Sequence, residues 1–215
     1  MTPFRAVLFD FDGTLGDSYA AITASVNFVR ARHGLPPLTV DEVRPHVGRG
    51  PDNLMRQTVP GFDPVADDAA YSAHHPTVMR QMTRLMPGAR ELLDALARSG
   101  RRLAVCSNKR VAYTRELLQA LGVFERFGAV LGPEEVGGRS KPAPDMLLAA
   151  LRRLGVAAGE ALYVGDMTID VQTGRAAGVT VWTVATGSDE RPALEAAKPD
   201  RVFASLAEVQ RALGV

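Results

Sequence analysis

The chain has 215 residues, 46% hydrophobic and 23% charged, with 25 lysines and arginines against 24 acids for a net charge of +1. That length holds one large domain, or one domain carrying a small second one, and the apolar content supplies a real core, so a disordered chain is excluded. The charge balance speaks against a dedicated nucleic-acid binder, no apolar run approaches the roughly 18 residues of a membrane span, and "MTPFRAVLF" lacks the order of a signal peptide.

The first apolar run, "AVLF" at 6–9, is continuous rather than alternating, as in a strand covered on both faces. It leads straight into Asp10 and Asp12. From Gly16 to Met86 no convincing strand follows. "SYAAITASVNFVRARHG" places Tyr19, Ile22, Val26 and Val29 on one helical face, and "TVDEV" offers Thr39 and Glu42 as a capping box. Helical patterns continue at "PDNLMRQTV" and "DPVADDAAYSAHHPTVMRQMTRL", where Pro76 is expected to kink or split the helix. Beyond residue 87 the rhythm becomes strand alternating with helix. Strands read at "RLAVC" (102–106), "GAVL" (128–131), "ALYV" (161–164), "VTVWTV" (179–184) and "RVF" (201–203). The helices between them open near a proline or close on a glycine, as in "PDMLLAALRRLG". Such alternation predicts an α/β fold with a parallel sheet and right-handed crossovers. Residues 1–15 and 87–215 are expected to form this core, and 16–86 a separate helical lid.

Open parallel sheets bind ligands outside the carboxyl ends of their strands. The polar residues that follow the strands are Asp10, Asp12, Gly13 and Thr14; then Ser107, Asn108 and Lys109; then Lys141 in the connection beyond the third strand; then Gly165, Asp166 and Asp170. Separate segments thus converge on one edge. Residues two apart on a strand face the same side, so Asp10 and Asp12 can address one substrate. Crowded carboxylates push one pKa upward. A divalent cation relieves that repulsion, and magnesium, which takes oxygen ligands, suits it.

"FDFDGTL", "VCSNK", "KPAPD" and "VGDMTID" stand in the order of the four motifs of the haloacid dehalogenase-like hydrolases. The chain resembles the phosphoglycolate phosphatase-like branch of that family, which carries a small helical cap between the first and second motifs. The resemblance implies a Rossmann-like core with a cap at 16–86. It also implies a magnesium-dependent phosphatase that hydrolyses a small phosphorylated metabolite through an aspartyl-phosphate. By the same resemblance Asp10 is the nucleophile and Asp12 the general acid and base. Magnesium is held by Asp10, the Asp12 backbone carbonyl and Asp166, with Asp170 in support. Ser107, the Asn108 backbone and Lys141 bind the phosphoryl group. A pyrophosphatase or nucleotidase would keep the same motifs. A phosphosugar mutase would carry a different cap sequence, a dehalogenase would lack Asp12, and a non-catalytic module would be expected to lose Asp10 or Lys141. The expected partner is the small substrate alone, with no nucleic acid or membrane. The single cysteine, Cys106, cannot form an internal disulfide, so a cytoplasmic setting is expected; a monomer or a homodimer is expected, and the sequence does not choose between them.

Some residues carry two readings. Asp170 either serves the site or favours its helix N-terminus. Lys109 either contacts substrate or is a solvated residue at a helix start. In "HVGRGPDNLM", Arg49 either recognises a second anionic group on the substrate or is exposed in a tight turn. Cys106 reads as a small core residue, and His74 and His75 as packing rather than a metal site. Met79, Met82 and Met86 read as a packed helical face. Two departures stand out from the family pattern: Gly174, where relatives usually have alanine, and "HHP" at 74–76, which matches no family feature.

Overall fold

Each continuously apolar run becomes a strand. The computed structural model describes residues 4–215. β1 (Ala6–Phe9) leads into a short strand β2 (Gly16–Asp17), four helices, α1 (Tyr19–Arg32), α2 (Val40–Val43), α3 (Pro51–Thr58) and α4 (Ala66–Met82), and a second short strand β3 (Arg84–Leu85). Then come α5 (Ala89–Arg98), β4 (Arg102–Cys106), α6 (Val111–Ala120), β5 (Ala129–Leu131), α7 (Asp145–Leu154) and β6 (Ala161–Gly165). The chain ends with α8 (Thr168–Ala177), β7 (Thr180–Val184), α9 (Arg191–Ala196), β8 (Arg201–Phe203) and α10 (Leu206–Leu213). Six strands make one parallel sheet in the order β5-β4-β1-β6-β7-β8. This is the expected α/β fold.

Period-two alternation sends successive side chains to opposite faces of the sheet. Val7, Phe9, Leu103, Val105, Leu162 and Val164 meet leucines of α5, α6 and α10 on one side. Ala6, Leu8, Ala104, Cys106, Ala161 and Tyr163 meet α7 on the other. Each large apolar side chain buried in this way contributes roughly 1.5–3 kcal/mol. Gly174 finds its reason here. A Cβ at this position of α8 would run into Val181 Cγ2 of β7, so glycine permits the close approach of helix to sheet.

The insert between β1 and β4 has an apolar cluster of its own. It contains the predicted α1 face, Tyr19, Ile22, Val26 and Val29, together with Leu54, Met55 and Tyr71. The Thr39–Glu42 capping box forms as expected, with Glu42 N donating to Thr39 Oγ1 at 3.3 Å and Thr39 N to Glu42 Oε2 at 2.7 Å.

Three expectations for this segment are corrected. It does contain strand: Gly16 pairs with Leu85 and Asp17 with Arg84, antiparallel, where the chain leaves and re-enters the core. α4 is not split at Pro76. The ring removes the N–H that would bond the Ser72 carbonyl, and the Tyr113 hydroxyl of α6 donates to that carbonyl instead, at 3.4 Å. Met79 and Met86 are buried as predicted, whereas Met82 is exposed.

Candidate active site

In the sheet order β1 lies between β4 and β6, so connections depart from it to both sides and leave a crevice above its carboxyl end. Asp10 follows β1 directly, and its N–H donates to Val164 O at 2.9 Å, extending the ladder by one residue. The chain then turns sharply. The Phe11 carbonyl accepts from the N–H groups of Thr14, Leu15 and Gly16 at 3.2, 2.9 and 2.8 Å. Gly13 makes the turn possible with φ of 83°. A Cβ there would also strike the Tyr19 hydroxyl and the Asp166 carboxylate.

Four carboxylates and two lysines gather at this edge. Asp10 is 1% exposed. Lys141 Nζ lies 2.8 Å from Asp10 Oδ2, 2.7 Å from Asp170 Oδ1 and 3.2 Å from the Tyr163 hydroxyl. Burial works against the lysine's charge, but the Asp10 and Asp170 carboxylates outweigh it and hold Lys141 above the ordinary lysine range. Asp10 is pushed up to about 6 by burial; the Lys141 charge opposes that rise and the Asp170 charge adds to it. Burial, then the charges of Asp10 and Asp170, push Asp166 well above the usual carboxylate range. Thr14 Oγ1 at 2.7 Å and Ser188 N at 2.8 Å both donate to Asp166. Asp170 Oδ1 accepts from Lys141 and, at 2.9 Å, from the Tyr163 hydroxyl; its Oδ2 accepts from the N–H groups of Asp166 at 3.1 Å and Met167 at 3.0 Å.

The donor set fits a hard divalent cation. Asp10, Asp166 and Asp170 each bring a carboxylate oxygen within 4.8 Å of the others. Asp10 Oδ1 is buried and has no hydrogen-bond partner among the described residues. An anionic oxygen held out of water is costly unless a positive charge compensates it, and an all-oxygen set of this size suits magnesium. Asp170 is the least available of the three, because its oxygens already serve Lys141, Tyr163 and the start of α8. The reading of Asp170 as favouring its helix N-terminus accords with its bonds to the N–H groups of Asp166 and Met167.

The second aspartate has a separate setting. Ser18 Oγ donates to Asp12 Oδ1, and Lys109 Nζ lies 3.1 and 3.3 Å from the two Asp12 oxygens. Lys109 is buried and ion-paired, so its reading as a solvated residue is overturned. Ser107 is 3% exposed, and its hydroxyl lies beside Asp10, where it favours the ionised form. The Asn108 side chain accepts from Lys141 N at 2.7 Å and donates to Gly48 O of the insert at 3.0 Å. Where the insert meets the core, a cavity of about 40 Å³ is lined by Asp12, Ile22, Val47, Leu54, Tyr71, Lys109 and Tyr113. It has room for about three water-sized groups. Gly48 and Gly50 line it too, but Arg49 between them is exposed and does not, which favours the tight-turn reading of that arginine.

These segments match one family model. Residues 7–184 fit the haloacid dehalogenase-like hydrolases. The chain belongs to that family. This hydrolase is 37% identical over 199 residues to a phosphoglycolate phosphatase from Rhodospirillum rubrum, covering 87% of this chain and 82% of the relative. A crystal structure described as that of a predicted phosphoglycolate phosphatase from Haemophilus somnus superposes with a TM-score of 0.89 at 25% identity, covering 99% of each chain. A haloacid dehalogenase-family hydrolase from Deinococcus radiodurans, with bound phosphate and sodium, matches with a TM-score of 0.79 at 31% identity, over 99% of this chain and 96% of the other.

Sequence reasoning gathered Asp10, Asp12, Ser107, Asn108, Lys141, Asp166 and Asp170, and the hydrolase brings all of them to one crevice. It missed Ser18, Tyr163 and Ser188. Ser188 belongs to the loop after β7, in "ATGSDE", a glycine-containing polar stretch at a strand's carboxyl end, which was the available signal. Cys106 is the core residue expected, with burial raising its thiol above the ordinary range.

Proposed function

We propose that this hydrolase is a magnesium-dependent phosphatase of small phosphomonoesters, with phosphoglycolate as the first candidate substrate. The observation that carries the reading is the buried, unpartnered Asp10 Oδ1 beside Lys141 and Asp166. Asp10 attacks phosphorus and the ester P–O bond breaks, giving an aspartyl-phosphate and splitting hydrolysis into two easier steps. Asp12, cradled by Ser18 and Lys109, gives a proton to the departing alkoxide and then takes one from the water that attacks the phosphoaspartate. Lys141 and Ser107 offset charge on the transferring oxygens, and Asp170 fixes the Lys141 ammonium. Magnesium, held by Asp10, the Asp12 carbonyl and Asp166, would neutralise phosphoryl charge against the nucleophile.

The insert at 16–86 acts as a cap that excludes water and selects the leaving group. Its approach to the core supports this: Arg110 ties to Asp68 and Ser72 at 2.5 Å each, and Asn108 to Gly48. No helix among the described residues is long and apolar enough to cross a membrane, and the buried free cysteine supports a cytoplasmic setting.

The test is direct. Purified protein with magnesium should release phosphate from phosphoglycolate and from para-nitrophenyl phosphate, lose that activity in EDTA, and lose it in Asp10→Asn. Metal-independent release, or full activity in the variant, would sink the reading.

A further inference from the structure

The loop after β7, residues 185–189, touches four parts of the site, and its side chains have no share in the chemistry derived above. The Thr186 hydroxyl donates to Gly13 O at 2.8 Å, in the turn that follows Asp10 and Asp12. Ser188 N donates to Asp166 Oδ2 at 2.8 Å. Asp189 Oδ2 accepts from Thr168 N at 2.7 Å, at the start of α8. The Ser188 and Tyr19 hydroxyls lie 3.1 Å apart, which joins this loop of the core to the first residue of α1 in the insert.

The Asp166 carboxylate has little room. A Cβ on Gly187 would overlap its Oδ2, and a Cβ on Gly13 would meet both that oxygen and the Tyr19 hydroxyl. Two glycine backbones therefore close on this carboxylate, one from the turn after β1 and one from the loop after β7. Tyr19 comes to the same place from the insert. It is buried, its ring belongs to the insert's own apolar cluster, and the Arg44 guanidinium, also of the insert, packs 4.1 Å from the ring centroid. The ring thus travels with the insert while its hydroxyl is bonded to the core. Burial, with the nearby Asp166 charge, keeps that phenol protonated.

We propose that Tyr19 and Ser188 are positioning residues that couple the seating of the insert to magnesium affinity. With the insert seated, the Tyr19 hydroxyl anchors Ser188, and the Ser188 N–H fixes the Asp166 carboxylate beside Asp10. When the insert swings away, Tyr19 leaves with it and the loop that steadies Asp166 loses one of its anchors. Linkage makes the effect mutual: the factor by which seating tightens the metal is the factor by which the metal favours seating. This rests on the reading above of a magnesium-dependent phosphatase with a mobile cap.

The test titrates magnesium chloride into the metal-free full chain and takes the affinity from the rise of the urea midpoint with concentration, a measurement that needs no turnover. Tyr19→Phe and Ser188→Ala each remove one end of the hydroxyl bond and keep the Ser188 N–H. Each is expected to weaken magnesium binding about 3- to 10-fold, the range for one neutral hydrogen bond. The double variant is expected to match the single ones, because all three lose the same bond. Merely structural hydroxyls would lower the midpoint in EDTA and leave the affinity at the wild-type value, and that result overturns the inference. Losses that multiply in the double variant overturn it too, since the two side chains would then act separately. A wild type whose midpoint does not respond to magnesium would overturn the magnesium reading and this inference with it. A wild type that responds, with both variants responding equally well, overturns this inference alone.

Discussion

A lysine ammonium carries three N–H groups, and at Lys141 each has an acceptor: Asp10, Asp170 and the Tyr163 hydroxyl. Tyr163 has one proton to give, and both Cys106 O at 3.1 Å and Asp170 Oδ1 at 2.9 Å compete for it. Its hydroxyl thus joins the end of β4, the Lys141 loop and the start of α8 from beneath the crevice. Tyr163→Phe removes that node while keeping the ring. Steady-state kinetics should show kcat lower by about tenfold with KM within about twofold, because the change loosens the aim of Lys141 rather than its charge. A KM effect as large as the kcat effect would contradict this. Asp10 and Asp166 were legible in the sequence because each stands at the carboxyl end of an apolar run. Tyr163 was not, since a tyrosine inside a strand reads as core, and its polar end matters only once residues from other segments have arrived. The pairing of Lys109 was not legible either, although the residue itself was placed at the site edge: its partner Asp12 is 97 residues away along the chain.

At the scale of elements, the long strands and the α1 face could be read because their apolar pattern spans several residues. β2 and β3 could not, because two residues have no periodicity. α4 shows how tertiary contacts override a local rule: a proline that breaks an isolated helix is tolerated where Tyr113 supplies the missing donor. The same helix carries a pH signature. Burial, then the Lys109 and His74 charges, push His75 down to about 3, from an ordinary value of 6.5. Between those values the unfolded chain binds a proton that the folded protein refuses, so His75 makes the fold less stable as pH falls below about 6.5. His75→Phe should flatten that part of the profile. Urea unfolding of both proteins at pH 5 and pH 7.5 checks it: the wild type should lose more stability on acidification than the variant, and parallel profiles would refute the assignment.

For the molecule as a whole, the carboxylate cluster is a liability until a cation reaches it. Asp10, raised from 3.8 to about 6, has the opposite sign to His75. The metal-free folded protein holds the Asp10 proton more tightly than the unfolded chain does. Its contribution is therefore complete below pH 3.8 and is lost as pH rises through about 6, a difference of about 3 kcal/mol. In EDTA, Asp10→Asn should accordingly unfold at higher urea concentration than wild type at pH 8, with the gap closing near pH 4. Magnesium should raise the wild-type midpoint and act far less on the variant. A variant less stable than wild type in EDTA at pH 8 would remove the crowding argument. Above this charged floor, the chain enters and leaves the insert through the paired strands β2 and β3, where Gly16 faces Leu85. Departure and return share one doorway. A cassette spliced at that doorway can change in length or composition without re-threading any strand of the sheet.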